Sequence, residues 1–131
     1  MNFLRRSLVG TTLTMLAACS GDTGPTGGIL KVTLTTPNRG LDGAAIVVLS
    51  APVAPGSVTP AAGLTLWGGP VTAATATIAL TGTLSAGTIL TLQVDDINKV
   101  AQYSATLREV AAAAGFGLRS SLAGYSLAVT K

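Results

Sequence analysis

The chain has no histidine and a single cysteine; only 10% of its 131 residues are charged and only 4% are aromatic. Lacking histidine, it lacks the side chain that most often acts as general base, proton shuttle or metal ligand near neutral pH. One cysteine cannot close a disulfide within the chain, so a folded domain here must rest on its apolar core. Charge is equally sparse. The net charge of +3 includes Arg5 and Arg6 at the N-terminus. Beyond residue 18, Lys31, Arg39, Lys99, Arg108, Arg119 and Lys131 face Asp22, Asp42, Asp95, Asp96 and Glu109. That near balance excludes a nucleic-acid partner or a polybasic membrane contact. No set of residues with the chemistry of an active site emerges, and we expect a non-enzyme without a cofactor.

What is present begins with a tripartite N-terminus. Arg5 and Arg6 supply positive charge, residues 7–15 form a short apolar stretch diluted by Thr11, Thr12 and Thr14, and Leu16-Ala17-Ala18-Cys19 follows. The apolar stretch is far shorter than the roughly 20 residues a membrane-spanning helix needs, which marks an export leader. Leu16 to Cys19 reads as a lipobox, and the segment resembles the leader of bacterial lipoproteins. The resemblance implies cleavage between Ala18 and Cys19, with residues 1–18 removed and Cys19 carrying the lipid. Two or three acyl chains would hold the chain at a membrane, each buried methylene adding about 0.8 kcal/mol. Ser20 stands where enterobacterial lipoproteins carry a retention aspartate, which points to the outer membrane of a bacterial envelope rather than the inner one.

Residues 19–28 contain four glycines and no large apolar side chain, the composition of a flexible tether. From Ile29 to Lys131 the hydrophobic period is two. Leu30, Val32 and Leu34 alternate with Lys31, Thr33 and Thr35; Leu64 and Leu66, then Ala74 to Leu80, then Leu90, Leu92 and Val94, then Tyr125, Leu127 and Val129 repeat the pattern. The run Ala44–Leu49 is continuously apolar and predicts a central strand covered on both sides. Turns are expected at Pro37-Asn38-Arg39-Gly40, at Gly68-Gly69-Pro70 and from Gly82 to Gly87, and a break at Pro52, Pro55 and Pro60. These short strands and Gly/Pro turns predict an all-β fold, an antiparallel β-sandwich, over residues 29–131.

Residues 100–114 fit two periods. Val100, Tyr103, Leu107, Val110, Ala111 and Ala114 have helical spacing, with Asp96 as a cap and Gly115 as a stop, yet a strand from about Ala101 to Val110 fits as well. The strand is favoured by a resemblance. Tyr103–Ala111, a Gly-containing turn and Leu122–Val129 are similar to the closing hairpin of cohesin-type modules. Ala86–Val94 is similar to their preceding strand, and Leu30–Ala51 to their opening pair. Cohesins are jelly-roll sandwiches that dock dockerin modules, so the resemblance implies a binding role; no contact residue carries over, and the domain is shorter than theirs. A shorter Ig-like sandwich fits the same pattern.

Few residues invite chemistry. Asp95, Asp96 and Asn98 could offer oxygens to a cation, but Ca²⁺ takes about six to eight ligands, so a solvated strand-end turn is the preferred reading. Asp42 beside Gly43 reads as a turn, and Arg108 with Glu109 as surface charge. Trp67 lies out of phase with Leu64 and Leu66 and is expected to face outward. These features predict a non-catalytic module acting through a protein partner at a sheet face or edge. The alternative is a carbohydrate-binding module in which Trp67 stacks on a sugar ring.

Overall fold

The computed structural model describes residues 24–68 and 70–131. The leader, Ala18, Cys19 and the start of the tether lie outside the described residues, as does Gly69 of the expected Gly68-Gly69-Pro70 turn. Eight strands are present among the described residues: β1 (Gly28–Thr35), β2 (Asp42–Ser50), β3 (Ser57–Pro60), β4 (Leu64–Trp67), β5 (Thr75–Leu84), β6 (Gly87–Val94), β7 (Ser104–Ala112) and β8 (Ser126–Thr130). They form two four-stranded sheets, β3-β6-β1-β8 and β4-β5-β2-β7, antiparallel at every pairing. The protein is a β-sandwich.

The alternation read from the sequence decides which side chains meet between the sheets. Leu30, Val32 and Leu34 of β1 and Leu90, Leu92 and Val94 of β6 face Ala45, Val47 and Leu49 of β2 and Ile78 and Leu80 of β5, all buried in one cluster. Each fully buried leucine or isoleucine contributes about 1.5–3 kcal/mol over an exposed one, which supplies the cohesion that no disulfide provides.

Several expectations are corrected. The proline-rich stretch contains β3, an edge strand hydrogen-bonded to β6 alone; an edge position tolerates Pro60, which has no N–H to give. Gly82 lies within β5 rather than in the connection after it. Residues 100–114 divide between the two readings: a 3₁₀ helix Ile97–Gln102 capped by Asp96, then β7. Strands β7 and β8 do not form a hairpin, because the connection between them crosses from one sheet to the other and β8 pairs with β1. Asp42 is no surface turn. Against β7, a bulge at Gly43 gives β2 one extra residue, and Asp42 turns inward opposite Leu84, where it is fully buried.

The largest correction concerns β2 itself. It is central, between β5 and β7, but only one of its faces is covered. Ala45, Val47 and Leu49 are buried, whereas Ala44, Ile46 and Val48 point away from the core and remain partly exposed, with no further layer of the described chain over them.

Candidate functional site

That uncovered face is the most distinctive surface of the molecule. Cross-strand register places Trp67, Ala79, Ile46 and Glu109 in one row, Thr81, Ala44 and Ala111 in the next, and Thr77, Val48 and Thr106 on the other side. The outward face of the other sheet is polar by comparison: Thr59, Thr91, Lys31 and Thr130 form one row and Ser57, Gln93 and Ile29 another. One side of the sandwich is thus hydroxyl-rich, and the other carries an aliphatic strip along β2 bordered by threonines of β5 and β7. A partly exposed aliphatic strip at the centre of a sheet costs solvation that polar substitutions would relieve.

The face is shaped as well as apolar. Ala44, Ile46, Ala79, Thr81, Glu109, Ala111 and Leu118 line an open groove of about 270 Å³. Small side chains form the floor, and Leu118, 65% exposed, forms a wall. Beside it Trp67 is 57% exposed, as its phase in β4 predicts, and its indole N–H donates to Thr81 Oγ1 at 2.8 Å, fixing the ring against the sheet. Among the described residues the Glu109 carboxylate has no ion-pair partner.

Beside the groove wall lies a polar cluster that sequence reasoning missed. Gly117–Arg119 runs antiparallel beside the end of β7: Ala112 N–H donates to Gly117 O at 2.9 Å, and Arg119 N–H to Val110 O at 2.8 Å. The Arg119 guanidinium then reaches the buried Asp42, with Nε donating to Oδ1 at 3.0 Å and Nη2 at 2.9 Å from the same oxygen. Nη2 also donates to Leu41 O at 3.2 Å. Tyr125 OH lies 3.0 and 2.9 Å from the two Asp42 oxygens, Thr36 Oγ1 donates to Oδ2 at 3.1 Å, and Asn38 Nδ2 donates to the Tyr125 hydroxyl at 2.7 Å. The carboxylate holds the Arg119 pKa above its ordinary value, chiefly through this hydrogen bonding. A buried charge needs a partner and filled lone pairs, and Asp42 has both. No signal announced the cluster, since its members lie on two stretches, residues 36–42 and 119–125, far apart in the chain.

The acidic residues considered for a cation do another job. Asp96 Oδ1 accepts from Asn98 N–H at 3.0 Å and from Thr26 N–H at 3.3 Å, capping the 3₁₀ helix and fastening the entry to β1. Asn98 Oδ1 accepts from Lys131 Nζ at 3.4 Å. Asp95 is exposed beside them. No group of three or more His, Cys, Asp and Glu side chains able to hold a metal occurs among the described residues. Arg108 and Glu109 are both exposed, as surface charges are.

Asp95 and Asp96 do act on Tyr103, which is 7% exposed: burial, then the two carboxylates, raise its phenol pKa above 10.0. A folded-state pKa above the unfolded one gives stability that is present below the unfolded value and lost as pH rises through the folded one. Urea midpoints should therefore fall above about pH 10, and fall less in Tyr103→Phe, a comparison that chemical denaturation followed by circular dichroism makes directly.

No protein-family model, curated protein or solved structure matches the chain. None of the helices of the described residues is long and apolar enough to cross a membrane.

Proposed function

We propose that the protein is a non-catalytic binding module of the bacterial cell envelope, held by lipid on Cys19 at a membrane, the outer one in preference to the inner. Its partner is a protein, and its contact surface is the outward face of β4-β5-β2-β7. One observation carries the reading: Ala44, Ile46 and Val48 of a central strand are left without a covering layer, while the opposite sheet turns threonine, serine and lysine to solvent. The exposed Trp67 and Leu118 beside that strip match the aromatic and aliphatic anchors of protein interfaces. The lipobox Leu16–Cys19 supports the anchor, and the likeness of the closing strands to cohesin-type or Ig-like modules supports a docking role.

The test is capture from the envelope of the source organism with the whole chain and its Ile46→Lys variant as baits. A lysine amid the aliphatic rows is expected to weaken partner retention by about tenfold or more while leaving the thermal midpoint of this outward position nearly unchanged. A partner retained equally by both baits overturns the placement of the face. The second reading, a carbohydrate-binding module, is favoured by the exposure of Trp67 beside the groove. A shift of its emission during glycan titration, with no captured protein, would select that reading instead.

A further inference from the structure

We propose that Arg119 is a positioning residue for the binding face: its ion pair with the buried Asp42 latches Gly117–Arg119 onto β7 and thereby sets Leu118 as the groove wall. What the wall serves rests on the reading of that face as the contact surface; the latch itself rests on geometry alone.

The connection between β7 and β8 has little else to hold this strip. Leu118 is 65% exposed, so burial of its own side chain does not fix it, and Phe116 just before it has a left-handed φ of 55°, a backbone state that a bulky side chain disfavours. Two backbone hydrogen bonds, to Val110 and from Ala112, join it to the edge of the sheet. The remaining ties run through the Arg119 guanidinium: its charge-assisted contact with a carboxylate shut off from water and its donation to Leu41 O. Asp42 is separately held by Thr36 and Tyr125, both outside the strip, so the anchor stays in place whether or not Arg119 is bound. An open latch releases Val110 C=O and Ala112 N–H at the edge of β7 and removes the wall above Ala111. The groove therefore has two forms, a walled one and a wider one with a bare strand edge.

Native-state hydrogen exchange on the full chain tests this. In Arg119→Met, the amides of Ala112 and residue 119 are expected to lose protection by about ten- to a hundredfold and to exchange well ahead of those of Val47, Ile78 and Leu80, whose own loss reports the fall in global stability. Arg119→Lys, which returns a cation to Asp42, should restore part of the difference. Unchanged protection at the two amides, or exchange of those amides only in step with the core, overturns the latch. Should Arg119→Met fail to fold, Arg119→Lys against wild type decides by the same two amides. Since no partner is needed for this readout, a failed latch leaves the contact surface standing, and a failed partner search leaves the latch standing.

Discussion

Replacing Asp42 by alanine is expected to lower stability by about 3 kcal/mol, which for a domain of this size moves the thermal midpoint by about 15 °C. The carboxylate is fully buried and receives donors from Thr36, Arg119 and Tyr125, so its loss strands two hydroxyls and a guanidinium together. Arg119 is 27% exposed and can turn to water, which keeps the cost at the lower end of the range for a broken buried pair. Asp42→Asn retains an oxygen for Arg119 and Tyr125 and can donate its amide to Thr36, so its cost should be about 1 kcal/mol. The ordering alanine far below asparagine, measured by calorimetry, distinguishes a hydrogen-bonded hub from a residue that merely fills space.

Gly82→Ala is expected to cost about 3 kcal/mol or more. Gly82 has φ +127°, a conformation closed to side chains, and a Cβ there would run into the carbonyl oxygen of Gly63 and the side chain of Leu64 on β4. The obstacle is backbone at the entry to β4, whose Leu64 lies opposite Gly82 in register, so it cannot step aside without disturbing the β4–β5 ladder. Urea unfolding should show an earlier midpoint. Because β4 carries Trp67, its fluorescence should report detachment of that edge.

Most of the fold could be read from the sequence, because β1, β5 and β6 largely alternate, β2 is a continuous apolar run, and one face of each enters the core. The departures have local causes. Pro60 hides β3, since a strand needing hydrogen bonds on one side alone is consistent with a residue that sequence reasoning takes as a breaker. The bulge at Gly43 reverses the facing of Asp42, and the dipeptide Asp42-Gly43 has the composition of a turn. The partner that makes Asp42 a buried hub lies 77 residues away at Arg119, beyond any local pattern. Of the candidate site, Trp67 was legible from its phase. The aliphatic strip was visible as the run Ala44–Leu49, but period two cannot say whether a second apolar face is covered or bare. Leu118 was invisible because only tertiary packing brings the strip beside Ala111.

The route of the chain through the sandwich has a kinetic consequence. Apart from β4 and β5, every pair of consecutive strands is divided between the two sheets, so a newly made strand finds its sequence neighbour in the wrong layer. Among the described residues one hairpin is available as a local seed, and it belongs to the sheet that bears Trp67. All other pairings close long stretches of chain before any ladder rewards them. Such connectivity puts folding in the range of about milliseconds to seconds and delays completion of the β3-β6-β1-β8 layer until β8 reaches β1.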